Sequence, residues 1–158
     1  MKILFAGEGG QGVQVIAEIL ALAAFLENKK VSYIPNFGVE QRGGVSIAFL
    51  IVDQKPIAYP KFEKADFLAI LSDRFWERVR SYQSLKTKII RGPAVKNGLK
   101  SSFPPKVWNI VVLRRLNELG KIVKPVSLIE AMEKRFSKQF KKDPKLRELD
   151  IKALTSCK

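Results

Sequence analysis

Histidine is absent from the 158 residues, and cysteine occurs once, at Cys157. With no histidine there is no serine–histidine triad. With no cluster of thiolates or imidazoles, neither zinc nor an iron–sulfur cluster has ligands in this chain. A lone cysteine makes no internal disulfide, so nothing ties the protein to an oxidising compartment, and a cytoplasmic location is expected. The most apolar stretch, Val13 to Leu26, is too short for a bilayer span, and Met1-Lys2 runs directly into Ile3-Leu4-Phe5-Ala6 without the build of a secretory signal. Negative charge is scarce as well: 29 Lys and Arg stand against 15 Asp and Glu, a net charge of +14.

That excess is not evenly spread. Residues 1–60 hold five basic groups (Lys2, Lys29, Lys30, Arg42, Lys55) and five acidic ones (Glu8, Glu18, Glu27, Glu40, Asp53), so the whole surplus belongs to residues 61–158. A basic half of this kind suits a nucleic acid, an acidic protein, a phosphorylated cofactor or an anionic lipid surface. A solvated, lysine-rich exterior explains it equally well. With 46% apolar and 28% charged residues the chain reads as one soluble globular domain spanning 1–158.

Along the chain, Lys2 to Ala6 reads as a short buried strand running into glycine. Val13 to Leu26 is a helix with only Gln14 and Glu18 polar, which predicts burial on most sides. Val31 to Ile34 reads as a second strand ended by Pro35, and Val45 to Val52 as a third, rich in β-branched residues. Ile57 to Tyr59 is expected to fold back as a short hairpin partner confined to an edge by Pro56 and Pro60. Asp66 to Leu71 and, more weakly, Thr87 to Ile90 are further strands, with a helix over Arg74 to Leu85 between them. Residues 91–105 form a glycine- and proline-rich loop. A helix then opens at Pro104-Pro105 and closes at Gly120, and Ser127 with Glu130 matches a capping box for the next. Strands alternating with helices predict an α/β fold, an open doubly wound, mostly parallel sheet with helices on both faces.

Two glycine stretches stand out. Gly7, Gly9 and Gly12 fit GxGxxG after a strand and before a helix, and the amides of residues 9–13 would face outward at the positive end of a helix dipole. A phosphate or carboxylate, the edge of a neighbouring subunit, or tight strand-to-helix packing alone would each explain Gly7, Gly9, Gly10, Gln11 and Gly12. A nicotinamide cofactor fits poorly, because the second strand ends in Pro35-Asn36 where a ribose-binding carboxylate belongs. The second stretch, Phe37-Gly38-Val39-Glu40-Gln41-Arg42-Gly43-Gly44, sets a Glu and an Arg around one polar residue, as a pair pinning a loop or as a contact surface.

Taken together, Gly7-Glu8-Gly9-Gly10-Gln11-Gly12-Val13, the apolar helix after it and Gly38-Val39-Glu40-Gln41-Arg42-Gly43-Gly44 resemble the gamma subunit of 2-oxoacid:ferredoxin oxidoreductases of the pyruvate/ketoisovalerate type. The likeness extends through Asn109-Ile110-Val111-Val112-Leu113, although Arg114 stands where that family usually has glycine. The resemblance implies an accessory subunit, without catalytic residues of its own, in a complex that decarboxylates a 2-oxoacid, forms acyl-coenzyme A and reduces ferredoxin. It implies alpha and beta partners holding thiamine diphosphate and Mg between them, iron–sulfur clusters on beta or delta, and a dimer of heteromers. It further implies subunit contacts through Phe37, Gly38, Glu40, Arg42, Gly43 and Gly44, and a coenzyme A phosphate at Gly7 to Gly12. A stand-alone nucleotide-binding Rossmann-like oxidoreductase and a basic nucleic-acid-binding module are the alternatives.

Overall fold

The computed structural model describes residues 1–38, 43–92 and 103–156. Strand β1 (Lys2–Glu8) leads through the first glycine turn into α1 (Val13–Leu26), followed by β2 (Lys30–Phe37) and β3 (Val45–Asp53). Next come β4 (Phe67–Ile70), a one-turn helix α2 (Trp76–Val79) set between two 3-10 turns, and β5 (Lys88–Arg91). The rest is helical: α3 (Trp108–Gly120), α4 (Pro125–Arg135), α5 (Ser137–Lys142) and α6 (Pro144–Thr155).

The five strands lie in the order β2-β3-β1-β4-β5. The β1–β4 and β4–β5 pairs are parallel, and β3 is antiparallel to both its neighbours, so four strands share one direction and only β3 is reversed. The α/β expectation holds, with helices on both faces but unequally divided. Ile3, Phe5, Ala48, Leu50 and Ala69 turn to the face covered by α1, α3, α4 and α6. Leu4, Ala6, Phe49, Leu68 and Ile70 turn to the other, closed by Phe62, Ala65 and Val79 of the connecting segments. The alternation along β1 is the two-residue period of a strand buried on both sides.

Helix α1 matches its predicted limits because both sides of it are covered, by the sheet and by α4; Ile16, Ile19, Leu20 and Ala23 are wholly buried. Each large side chain so buried contributes roughly 1.5–3 kcal/mol relative to exposure.

Several boundaries differ from expectation. Strand β2 runs through Pro35 to Phe37. Gly38 donates its N–H to the Val45 carbonyl (2.8 Å), so residues 36, 34, 32 and 30 also face β3 in the two-residue rhythm, and Pro35 faces the open edge, where a missing N–H is harmless. Ile57 to Tyr59 is not a strand, because β1 and β2 already occupy both sides of β3. The helix expected over 74–85 is a single α-turn flanked by 3-10 turns. The helix closing at Gly120 ends instead on Lys121, which takes the left-handed conformation (φ +46°). Gly120 is needed for packing: a Cβ there would lie 2.8 Å from Ile122 and 3.1 Å from Phe67. Residues 93–102 of the expected loop, and Cys157, lie outside the described residues.

Ser127 is not a cap either. Pro125 takes the first helical position, which puts Ser127 inside the first turn, where its hydroxyl donates to Glu27 Oε1 (2.7 Å). The same oxygen accepts the Lys124 N–H (2.6 Å), and Lys29 pairs with the other (2.9 Å). Burial works to raise the Glu27 carboxyl, but the hydrogen bonds from Lys29, Lys124 and Ser127 outweigh it and hold the group below its ordinary value. Ser127→Ala is therefore expected to cost about 1 kcal/mol by urea unfolding. The cost should largely vanish in a Glu27→Ala background, which removes the acceptor, whereas a capping role would leave it unchanged.

Arg114, the departure from glycine, has its own use: its Nη1 donates to the Ser156 carbonyl at the end of α6, and its Nε lies 3.3 Å from Glu118. A cation at a helix C-terminus is favourable, so this residue fastens the last helix to α3.

Candidate functional site

Strand β1 points at the N-terminus of α1 with only Gly9 to Gly12 between them. Gly10 (φ +95°) and Gly12 (φ +77°) take left-handed backbone that a side chain would strain, and Gly12 starts the helix without a side-chain cap. The Gln11 side chain folds back so that its Oε1 accepts the Glu8 N–H (2.9 Å), while the Gln11 backbone N–H donates to the Glu8 carbonyl (3.0 Å). Gly7 belongs to the packing, since a Cβ there would meet Gln11 Oε1 and Val13 Cγ2 at 2.8 Å.

The two glycine stretches meet. The Gly9 N–H donates to the Gly44 carbonyl (2.8 Å), and Gly43 takes φ +70° beside it. Gln14 reinforces the join: its Nε2 donates to Ser46 Oγ (3.0 Å) and the Ile47 carbonyl (2.9 Å), and its Oε1 accepts from the Tyr33 hydroxyl (2.7 Å). Burial and then the nearby Glu18 carboxylate push the Tyr33 hydroxyl up to about 12, so it remains a donor at neutral pH. Of the predicted contact residues, Gly38, Gly43 and Gly44 fall at this join. Glu40 and Arg42 lie outside the described residues, as does the side chain of Phe37.

On one side of the turn is a crevice of about 590 Å³, bounded by Gly10 to Gly12, Leu71 to Asp73, Gly92, Pro105 and Lys106 of the 3-10 turn (Pro105–Val107) that leads into α3, and Trp108 and Asn109 at the start of α3. It sits beyond the carboxyl ends of β1, β4 and β5. Between β1 and β4 the chain order reverses, which is where open α/β sheets form ligand crevices. A smaller hollow of about 380 Å³ lies on the other side, between Gly9–Val15 and Gly44–Ser46.

The acids around the turn are matched by cations. Asp73, which lines the crevice, pairs with Arg91 (2.5 Å), whose guanidinium lies over the Trp76 ring at 4.5 Å, and Glu8, which lines the smaller hollow, pairs with Arg74 (2.7 Å). With those carboxylates matched, Lys106 and the α1 N-terminus leave the crevice electropositive. The arrangement can hold an anion. Among the described residues no group of three or more Cys, Asp or Glu is placed to hold a metal ion, and no helix is long and apolar enough to cross a membrane.

Asn109, Lys106 and Trp108 were not singled out as site residues. Asn109 abuts Gly12 so closely that a Cβ on the glycine would overlap its amide. The available signal was an amide side chain just ahead of the apolar run Ile110 to Leu113.

Residues 2–90 match the family model for pyruvate ferredoxin/flavodoxin oxidoreductase. The common gamma subunit of the pyruvate/ketoisovalerate oxidoreductases of Pyrococcus abyssi is 41% identical over 87 residues, 54% of this chain and 47% of that protein. The 2-oxoglutarate synthase subunit KorC of Archaeoglobus fulgidus is 33% identical over 105 residues, 66% of this chain and 56% of the relative. The chain thus spans about half the length of the curated relatives it matches. In fold it resembles part of the 2-oxoglutarate:ferredoxin oxidoreductase of Magnetococcus marinus, solved with 2-oxoglutarate, coenzyme A and succinyl-CoA (TM-score 0.83, 18% identity, 98% of this chain, 29% of that one). It also resembles the gamma subunit of a keto/oxoacid ferredoxin oxidoreductase of Geobacter sulfurreducens (TM-score 0.67, 20% identity, 99% of both chains). With its paired glycine loops inside the matched residues 2–90, the chain belongs to the pyruvate ferredoxin/flavodoxin oxidoreductase family.

Proposed function

We propose that this chain is the gamma-type accessory subunit of a cytoplasmic, multi-subunit 2-oxoacid:ferredoxin oxidoreductase, which forms acyl-coenzyme A from a 2-oxoacid and reduces ferredoxin. The observation that carries the reading is the bond from the Gly9 N–H to the Gly44 carbonyl, which joins the two motifs into one rigid, side-chain-poor rim beside an electropositive crevice. Residues 1–158 act as one domain. Alpha and beta subunits, with delta where clusters are carried separately, supply thiamine diphosphate, Mg and iron–sulfur clusters, and the assembly is a dimer of heteromers. Phe37 to Gly44 meets a neighbouring subunit.

The crevice suits a phosphate of coenzyme A, with Asp73 paired to Arg91 and with Lys106 and the α1 N-terminus on its walls. The Gly9 amide is committed to Gly44, so the proposed contact narrows to Gly10, Gly12 and the first turn of α1. What the chain supplies is binding and orientation, with the chemistry left to the partners.

Purification of the native complex tests the subunit role. Co-purification of a thiamine-diphosphate-containing partner is expected, and its absence would overturn the assignment. Gly10 has open space around its Cβ position but left-handed backbone (φ +95°) that any side chain strains, so Gly10→Asp, which sets a carboxylate against the phosphate, is compared with the equally strained but neutral Gly10→Asn. In the reassembled complex Gly10→Asp is expected to weaken coenzyme A at least about tenfold relative to Gly10→Asn, or ~1.4 kcal/mol. Unchanged affinity would remove the phosphate contact and leave the subunit role standing.

A further inference from the structure

Strand β2 is the outer strand on its side of the sheet. Its backbone polarity follows from two observations. Gly38 bonds to Val45, which turns residues 30, 32, 34 and 36 toward β3. Val52, the residue opposite Val31, exchanges bonds with Met1 on its other side: its N–H reaches the Met1 carbonyl (2.9 Å), and the Met1 amino group reaches the Val52 carbonyl (2.6 Å). Val31 and Tyr33 therefore present N–H and C=O to the open edge, and Pro35 ends the run of donors there.

This stretch of edge lies in a trough of about 810 Å³. Phe25, 68% exposed at the end of α1, walls it from one face of the sheet, and Pro56, Ile57 and Pro60 wall it from the other, with Val31 and Ser32 at the bottom. The rim is cationic. Lys30 lines the trough and Lys55, next to Pro56, is exposed; of the nearby acids Glu27 is paired with Lys29 (2.9 Å), while Asp53, opposite Lys30, keeps its charge, so the balance at this edge is positive.

We propose that this trough receives an extended acidic segment of a different protein chain, which adds to β2 as a sixth strand. Main-chain bonds to Val31 and Tyr33 hold it, its apolar side chains lie against Phe25 on one face of the sheet, and its carboxylates, on the opposite face, meet Lys30 and Lys55. A second copy of this chain suits the edge less well, because each copy carries +14. The proposal requires none of the oxidoreductase partners, so it stands or falls separately from the subunit reading.

The test uses the isolated full chain and a capped hexapeptide of alternating Glu and Ile, with amide exchange read residue by residue by NMR. Exchange at Val31 and Tyr33 is expected to slow at least tenfold, with Ser32 and Ile34 unchanged because β3 already holds them. Val31→Pro removes one outward N–H and no bond to β3, so it should abolish the slowing at Tyr33 while thermal unfolding stays cooperative. Lys30→Glu should weaken the peptide at least fivefold. Three results would overturn the proposal: no slowing at Val31 and Tyr33, equal binding of a Lys–Ile peptide, or a concentration-dependent dimer that protects the same amides without peptide.

Discussion

Gly12→Ala is expected to lower the unfolding free energy by about 3 kcal/mol, the sum of two separable costs. Left-handed backbone at Gly12 (φ +77°) costs an L-residue roughly 1–2 kcal/mol. The new methyl would also overlap the Asn109 amide, and overpacking of that kind costs roughly 1–3 kcal/mol. For a chain of this size each kcal/mol moves the midpoint by about 2–4 °C, so thermal unfolding should fall by about 9 °C. Adding Asn109→Ala should return the packing part and leave the backbone part. Gly9→Ala is the contrast: its Cβ would sit 3.6 Å from the Gly44 carbonyl, an ordinary contact, and stability should stay within about 0.5 kcal/mol of the parent. A Gly12→Ala protein as stable as Gly9→Ala would mean that the turn does not need its glycine.

Local rules succeeded where one element's needs are written in its own residues. The turn was legible because left-handed backbone at Gly10 and Gly12 calls for glycine, and α1 because a helix apolar on most sides must be covered on most sides. What was not legible depends on neighbours. Pro35 reads as a strand end until β2 is known to be an edge whose Pro35 side faces outward. Ile57 to Tyr59 reads as a hairpin partner until β1 is seen to occupy the other side of β3. Ser127 with Glu130 reads as a capping box, yet Pro125 two positions earlier competes for the helix start, and Glu27, 100 residues away in sequence, claims the serine hydroxyl.

The site divides in the same way. The two glycine stretches could be found separately, but the bond from Gly9 to Gly44 that joins them spans residues no local pattern connects. Likewise the basic surplus of residues 61–158 gave no address. In the structure part of it acts internally: Arg91 neutralises Asp73 at the crevice, Arg74 neutralises Glu8 at the neighbouring hollow, and Arg114 fastens α6. By matching these acids the cations leave the surroundings of the turn electropositive, which a net-charge count cannot reveal.

The last helix carries the other large expected effect. Asp150 on α6 is only 3% exposed, and burial pushes its carboxyl up to about 6, with Lys106 pulling the other way. Its ordinary value, 3.8, applies once the chain unfolds, so the folded state holds the proton to higher pH. The stability this group supports is complete below about pH 4 and is lost as pH rises through about 6. Above both values the cost is about 3 kcal/mol, from 1.36 kcal/mol per unit. Asp150→Asn keeps the shape and removes the ionisation, so it is expected to stabilise the protein by about 2–3 kcal/mol at pH 7 and by much less at pH 4. Urea unfolding of both proteins from pH 4 to 8 measures the difference, and a gap that does not change with pH would sink the account. Lys106 is also a crevice residue, so an anion bound there would weaken the positive charge that holds Asp150 down. The carboxyl should then titrate higher still when the crevice is filled, which an NMR titration of Asp150 with and without inorganic phosphate would register.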